Sequence, residues 1–357
     1  MKKFLFALII MISFQQLTAQ NSSAKIYMKK SNWKLPDEAR FERFDNRETL
    51  VLKSGRATVD DQKFSNGSIE VDVYANSKRS FAGITFRKQK DHMEEVYMRM
   101  HKSNQVDAVQ YTPIFNGESN WQLFREYQAR VSFKETGWNT LRVDVNNKSA
   151  TVYVNDEKVL SIDHLRTENT RGDIGLFALF TNRFSNFRVT HKDQNENKIV
   201  EEESLSDPGI INTWEITKAH PYKEGKVLFE NFSNEKYTTV ATESSGLLTI
   251  SKYVKKTASG NFEQNSEDYI VARTSIHADR NELKTLSFDY SDKIIVFLNG
   301  NRIFEGNNAF RTKGVQYMGH VDISTNKLFL PFKKGENEIH CVVIDKANGW
   351  GLIGKLE

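Results

Sequence analysis

The chain of 357 residues has one cysteine, few alanines and almost no excess of charge of either sign. Cys341 cannot form an internal disulfide, and its place in the apolar run 339–344 predicts a small core residue rather than a nucleophile. The formal net charge is +4, and basic residues are scattered among acidic ones. This pattern lacks the basic stripe that nucleic-acid binding requires, so no nucleic-acid partner is predicted.

Long apolar runs are also missing, apart from residues 4–14. That run follows Lys2 and Lys3 and precedes small residues ending at Ala19, the order found in a secretory signal peptide. A bilayer span needs about 20 apolar residues, so no membrane span is predicted. We therefore expect residues 1–19 to be removed and the product to be periplasmic or extracellular, with a formal charge of +2 because the segment holds two lysines and no acid.

Recognisable metal and nucleophile motifs are absent as well. The eight histidines are never paired at ligand spacing with another histidine or the cysteine, and no serine lies in a Gly-x-Ser-x-Gly turn. No loop of the Asp-x-Asp-x-Asp-Gly type offers a calcium site, although carboxylates and backbone carbonyls elsewhere could still bind a structural calcium. No cofactor is predicted, and calcium stays open without assigned ligands.

Alternation of period two is present where helical periodicity is missing. In the segment GSIEVDVYAN, Ile69, Val71 and Val73 alternate with Glu70 and Asp72, which gives a strand with one apolar and one polar face. The same alternation recurs in residues 96–101, 141–145 and 150–154. Strands of this kind separated by Asn- and Gly-containing turns indicate antiparallel sheets, and hence an all-β fold.

The strand pattern is interrupted once, by the charged and Asn-rich stretch 192–209, which reads as a linker. The acidic run 201–203 within it is interpreted as solvated charge. Later strands are predicted around Thr213 and over residues 226–229, 247–254, 269–276, 283–290, 293–299, 328–332 and 338–344. Asn299-Gly300 predicts a tight hairpin. The expected architecture is two β-sandwich (jelly-roll) domains in series, residues 20–191 and 210–357.

Both halves resemble known families. The first resembles a concanavalin A-like lectin/glucanase domain of the laminin-G-like kind, through residues 67–73, 81–87, 101–113 and 138–143. The strand 83–87 is also similar to the 3-keto-disaccharide hydrolase domain. The second half resembles a galactose-binding-like jelly roll, through residues 296–300, 334–338 and 349–351. These resemblances imply a fold that hosts binders, enzymes and structural modules alike.

Catalytic residues are hard to find on this sequence. Laminarinase-type enzymes of the fold place three acids on one strand as Glu-x-Asp-x-x-Glu, whereas Glu70 and Asp72 are followed by Ala75 at the third position. Glu70 and Asp72 are therefore interpreted first as the polar face of a strand. With His101 they are the only catalytic candidates, and no active site is mapped from the keto-sugar family.

Polar and aromatic residues are dense between His101 and Tyr127, a mixture suited to hydrogen bonding hydroxyl groups and packing a sugar ring. Residues 105–111 are expected to form a strand with Gln105, Asp107 and Tyr111 on one face. The alternative is that Tyr111 and Trp121 belong to the core. For Trp350 two interpretations also stay open: a platform on which a sugar ring packs, or a tryptophan of the core or of the domain interface. The predicted ligand-binding residues are Arg99, His101, Gln105, Asp107, Tyr111, Asn116, Asn120 and Trp121.

Three function classes follow from these observations. An exported carbohydrate-binding protein, lectin-like or accessory, acting on extracellular glycans is favoured, with a poly- or oligosaccharide as partner. The enzymatic alternative is a glycoside hydrolase or a 3-keto-disaccharide hydrolase or lyase. A structural accessory module would show neither binding nor turnover.

Overall fold

The computed structural model describes residues 23–76, 78–192, 207–257 and 266–357, and these form an all-β protein, as predicted. The proposed signal peptide, the acidic run 201–203 and most of the proposed linker lie outside the described residues. No helix among the described residues is long and apolar enough to cross a membrane.

The first half of the chain, residues 23–192, contains sixteen strands among its described residues. They are β1 (Ser23–Ile26), β2 (Trp33–Lys34), β3 (Arg40–Phe44), β4 (Arg47–Leu52), β5 (Gly55–Phe64), β6 (Gly67–Asn76), β7 (Phe81–Gln89), β8 (His92–Met98), β9 (Val109–Phe115), β10 (Glu118–Ser119), β11 (Gln128–Ala129), β12 (Thr136–Asn146), β13 (Ser149–Val154), β14 (Glu157–Ile162), β15 (Gly172–Leu179) and β16 (Asn182–His191).

The second half, residues 207–357, contributes eleven described strands. They are β17 (Thr213–Ile216), β18 (His220–Pro221), β19 (Thr238–Ala241), β20 (Leu247–Thr249), β21 (Asp268–Ala278), β22 (Glu282–Ser291), β23 (Lys293–Leu298), β24 (Asn301–Asn307), β25 (Asn326–Phe332), β26 (Gly335–Asp345) and β27 (Gly351–Leu356). Helical structure in the described chain is limited to single 3-10 turns: Lys30–Asn32, Met100–Lys102, Trp121–Leu123, Arg125–Tyr127, Phe229–Asn231 and Ile250–Lys252.

The first sandwich consists of two sheets packed face to face. Sheet I has the order β14-β13-β12-β6-β16-β4-β3, with β1 paired to β16. Sheet II has the order β10-β9-β8-β7-β15-β5-β2, with β11 paired to β9. All of these pairings are antiparallel, so successive side chains alternate between the core and the outer face of each sheet.

The core of the first sandwich confirms the period-two pattern of β6. Ile69, Val71 and Val73 are fully buried between the sheets, while Glu70 and Asp72 lie on the outer face of sheet I. Side chains along a strand alternate with a period of two, so a shift of one residue would expose the apolar side chains. Burial of the apolar face therefore fixes the register of β6. The polar side chains of β6 therefore point away from sheet II.

The second sandwich is built on a central strand pair, β21 and β26, in a sheet of order β19-β17-β21-β26-β23-β24, with β18 paired to β21. A smaller sheet, β20-β27-β22-β25, covers one of its faces. Trp350 is buried in the core between them and donates its indole N–H to the carbonyl of Val343 at 3.1 Å. Cys341 lies in the same core, and burial raises the pKa of its thiol to about 12.

Two predicted strands of the second half are wrong in detail. Residues 226–229 do not join a ladder, because Val227 and Phe232 pack on the other face of the central sheet around a 3-10 turn. The predicted strand 247–254 ends at Thr249 and continues as the turn Ile250–Lys252. The hairpin at Asn299-Gly300 is confirmed, since both residues have positive φ (48° and 80°) between β23 and β24.

The two sandwiches contact each other through the segment that follows β9. Asn116 and Asn120 hydrogen-bond to Ser251, and Gln122 donates to the carbonyl of Met318 at 2.7 Å. Leu247 of the second half is part of the hydrophobic cluster of the first sandwich. One edge of sheet II is therefore covered by the second sandwich.

Candidate functional site

On the outer face of sheet II, four residues that are register partners on adjacent strands form a row. Pairing places Tyr97 of β8 beside Gly83 of β7, Gly83 beside Phe177 of β15, and Phe177 beside Arg56 of β5. A side chain at Gly83 would meet the carbonyl oxygen of Val96 at 2.2 Å, so this position must stay bare. The rings of Tyr97 and Phe177 therefore pack against each other beside Gly83, with centroids 5.8 Å apart and planes inclined by 57°.

The neighbouring row holds a buried ion pair. Glu95 lies beside Thr85, which lies beside Gly175, so small residues separate Glu95 from β5. Arg56 reaches across them, donates from Nε to the Glu95 carboxylate at 2.9 Å and places Nη2 2.7 Å from the same oxygen. Glu95 is only 1% exposed although it faces outward, and burial raises the pKa of its carboxyl against the opposing effect of Arg56.

Four aromatic rings run across this face, and we call them the aromatic strip: Phe180, Phe81, Tyr97 and Phe177. Neighbouring centroids are 6.2, 5.9 and 5.8 Å apart in that order. Exposure falls from 43% for Phe180 to 5% for Tyr97. The strip thus begins at an exposed turn and ends beside the pair formed by Arg56 and Glu95.

Arg99 lies alongside the strip between two rings. Its guanidinium carbon is 5.2 Å from the centroid of Phe81 and 5.9 Å from that of Trp121. One terminal nitrogen contacts the Asp107 carboxylate at 2.5 Å, and Lys102 contacts the same oxygen at 3.2 Å. The Nε of Arg99 is buried and has no hydrogen-bond partner among the described residues.

His101 is the next predicted residue at this place. Its Nδ1 is 3.0 Å from the carbonyl oxygen of Ser80, and its ring is 5.4 Å from Phe81. Burial lowers the pKa of the imidazole, and the positive charge of Arg99 acts in the same direction. Arg99 and His101 therefore both lie beside Phe81, and Asp107 and Trp121 lie beside Arg99. Gln105 is exposed on the loop before β9.

Tyr111 does not share a face with Gln105, because the predicted strand 105–111 begins only at Val109. Tyr111 points into the core of the first sandwich, where its hydroxyl donates to Glu94 at 2.6 Å. Glu94 also accepts two hydrogen bonds from Thr167, at 2.9 Å from its N–H and at 2.6 Å from its hydroxyl. These contacts fasten the loop after β14 to sheet II.

Asn116, Asn120 and Trp121 lie at the contact between the sandwiches. Asn116 donates to the carbonyl of Ser251 at 2.9 Å, and Asn120 accepts from the Ser251 hydroxyl at 2.6 Å. Trp121 is 8% exposed and donates to Asn348 at 3.0 Å. These three side chains bind the second sandwich rather than facing solvent.

The acids of β6 lie on the other sheet and are engaged with neighbours. Glu70 contacts Arg188 at 2.6 Å. Asp72 accepts from Arg47 at 2.6 Å, from Thr140 at 2.7 Å and from Asn186 at 2.8 Å. Sheet I therefore uses these acids in ion pairs and hydrogen bonds across its outer face.

Sequence reasoning missed Glu95, Arg56 and most of the aromatic strip. One signal for Glu95 was present, because the alternation that puts Tyr97 on the outer face of β8 also puts Glu95 there. No comparable signal existed for Phe177, which comes from a strand 80 residues later. In the described part of the chain, no three histidine, cysteine or acidic side chains are grouped so as to hold a metal ion.

Residues 24–190 match the model of a family described as the 3-keto-alpha-glucoside-1,2-lyase-like domain. The match covers the first sandwich and supports the resemblance of that half to a carbohydrate-active family. None of the curated proteins matches the chain in sequence.

Several solved structures are similar at low identity. The carbohydrate-binding module CBM66 from Bacillus subtilis is 14% identical, with a TM-score of 0.36, over 44% of this chain and 95% of that one. A Bacillus licheniformis beta-glucanase is 14% identical, with a TM-score of 0.35, over 49% and 100%. Domain 4 of AbnA, a GH43 extracellular arabinanase from Geobacillus stearothermophilus, is 11% identical, with a TM-score of 0.30, over 49% and 84%.

Proposed function

We propose that this protein binds an oligosaccharide or polysaccharide on the outer face of sheet II, along the aromatic strip. The observation that carries the proposal is the row of Tyr97, Gly83, Phe177 and Arg56, in which two adjoining aromatic rings end at a guanidinium 5.1 Å from Phe177. A sugar ring offers an apolar face to aromatic rings and hydroxyl groups to charged side chains. The match to a sugar-lyase-like family supports the same ligand class.

The site of action belongs to the proposal as well. The amino-terminal order of lysines, apolar run and small residues supports export, so the glycan would be met outside the cytoplasm.

The test removes one ring of the strip. Oligosaccharides that bind the full chain on a glycan array are titrated against the wild type and against Phe177→Ala. We expect the variant to bind about 5- to 30-fold more weakly, because losing an aromatic contact at a binding site costs about 1 to 2 kcal/mol.

The matched control is Phe329→Ala, which removes an aromatic ring that is 67% exposed in the second sandwich. This control should bind as the wild type does. Equal affinities for the wild type and Phe177→Ala would place the ligand elsewhere, and an array without any bound glycan would reject the proposal.

A second candidate function, turnover of a 3-keto-sugar, is favoured by the position of Glu95. A 1,2-elimination beside a 3-keto group breaks the C2–H and C1–O bonds, forms a C1=C2 bond and gives a proton to the leaving oxygen. Glu95 lies at the end of the strip with its pKa raised by burial, which brings a carboxyl closer to exchanging a proton near neutral pH. Arg56 would hold its carboxylate in place.

Glu95→Gln separates binding from turnover. If Glu95 transfers the proton, the rate on a 3-keto-glucoside should fall by about 100-fold or more, while affinity changes little because the amide keeps the shape of the carboxyl. Release of the reducing sugar, measured by chromatography, gives the rate. No release by the wild type, together with glycan binding, would leave binding as the function.

A further inference from the structure

The exposed end of the aromatic strip opens into a surface cavity of about 760 Å³. Its walls come from the turns that join β4 to β5, β6 to β7 and β15 to β16, so three separate segments meet there. Within the described chain, the charged residues lining it are Lys53, Lys78, Arg79 and Arg183, and none of the lining residues is a carboxylate. An anion entering this cavity would meet positive and uncharged side chains on its described walls and no negative one.

Neighbouring acids neutralise only part of this charge. Lys53 pairs with Glu38 at 2.9 Å and Arg183 pairs with Glu42 at 2.7 Å, from outside the cavity. Arg79 has no ion pair with any described residue, and its guanidinium lies 5.1 Å from the centroid of Phe180. The guanidinium of Arg79 is thus held on an aromatic ring with its charge uncompensated.

The end of the aromatic strip near Arg56 and Glu95 differs from the Phe180 end in the charges that line its cavity. The cavity there, about 450 Å³, is lined by the acids Asp61 and Asp173 as well as by cations. Lys63 contacts Asp173 at 2.5 Å, and Arg56 contacts Glu95 at 2.7 Å. Of the two cavities, the one at Phe180 has no carboxylate among its described lining residues, and this difference gives the strip a direction.

The presence of a phenylalanine at position 180 is not required by the fold. Phe180 has a φ of +63°, a conformation that disfavours bulky residues, and it is 43% exposed in a two-residue turn. The turn is held by Asn182, whose amide donates to the carbonyls of Phe81 and Phe180 at 2.9 and 2.8 Å. Asparagine or glycine at position 180 would suit the backbone better, so a phenylalanine here is consistent with use of its ring.

We propose that the cavity at Phe180 binds the anionic group of an acidic saccharide, a carboxylate or a sulfate, whose neutral rings continue along the aromatic strip. The inference rests on the proposed saccharide site and adds the class of ligand and its orientation. Arg79 donates to the anion, and Phe180 packs against the sugar ring that carries it.

The experiment compares three probes on the full chain: an oligogalacturonate, the same oligosaccharide with its carboxyl groups reduced, and a sulfated neutral oligosaccharide. We expect an acidic probe to bind at least about tenfold more tightly than the reduced one, with an advantage that shrinks as salt is added. The better of the two acidic probes identifies the anion as carboxylate or sulfate.

Two variants assign the effect to the cavity. Arg79→Gln should lose about tenfold in affinity for the acidic probe and less than twofold for the reduced one. The control Arg280→Gln removes the same charge from an exposed position in the second sandwich and should change neither. Phe180→Asn should weaken both probes without lowering the melting temperature, since asparagine accepts a positive φ.

Equal binding of acidic and reduced probes, or an Arg79→Gln variant that keeps the preference, would overturn the inference. If Phe177→Ala still weakens the reduced probe, the proposed function survives that failure. Single-stranded DNA that binds as tightly as the acidic saccharide would show a general anion-binding surface, which also overturns it. If none of these three saccharides binds while the array still shows a glycan whose binding Phe177→Ala weakens, only the inference fails; an array without any bound glycan rejects both proposals.

Discussion

Replacing Lys256 by methionine should lower the free energy of unfolding by about 3 to 5 kcal/mol, because it leaves a buried carboxylate without its partner. The Lys256 side chain is 1% exposed and that of Asp345 is 2% exposed, and the two are in direct contact. The lysine also donates to the carbonyl of Lys346 at 2.7 Å, and it lies 3.6 Å from Glu118 of the first sandwich.

The charge state of Lys256 supports this expectation. Burial alone would lower the pKa of its ammonium, but Asp345 and Glu118 outweigh burial and raise that pKa above its usual value. The lysine is thus held as a cation, and its removal leaves Asp345 buried and uncompensated.

The neighbouring lysine provides the control. Lys255 pairs with Asp91 at 2.8 Å, but both side chains are more than half exposed. Lys255→Met should therefore cost no more than about 1 kcal/mol. Urea unfolding of both variants measures the difference, and a Lys256→Met variant as stable as Lys255→Met would show that the buried pair adds nothing.

Replacing Trp121 by alanine should destabilise the protein by about 3 to 5 kcal/mol, the usual cost of emptying a buried aromatic position. Its ring contacts Phe310 and His320 of the second sandwich edge to face, with centroids 5.8 and 5.6 Å away. Its indole N–H donates to Asn348. The expected loss comes from the contact between the sandwiches rather than from a ligand site.

Trp121→Phe is the conservative partner of this variant. It keeps most of the apolar contact and loses the hydrogen bond to Asn348, so its cost should be well below that of alanine. Thermal unfolding of the two variants, with glycan titration beside it, separates the alternatives. A stable Trp121→Ala protein that no longer binds glycans would instead support the sugar platform suggested by the sequence.

The faces of individual strands could be predicted because alternation is a local property. Ile69, Val71 and Val73 had to share a face whatever the rest of the chain did, and the hairpin at Asn299-Gly300 required only two residues tolerant of positive φ. The ends of the strands could not be predicted from alternation in the same way. The predicted strand 105–111 starts at Val109 because the backbone of the preceding residues is occupied by turn hydrogen bonds, such as Ala108 N–H to Gln105 carbonyl at 3.1 Å.

The sequence alone determined an all-β chain with polar and apolar strand faces, since these follow from residue type and a period of two. It also indicated that Arg99 and Asp107 would lie close together in space, because they are close in the chain. The lateral order of the strands, in contrast, could be read only from the folded chain. Arg56, Tyr97 and Phe177 come from distant segments, and sheet pairing across those distances depends on packing that no local pattern encodes.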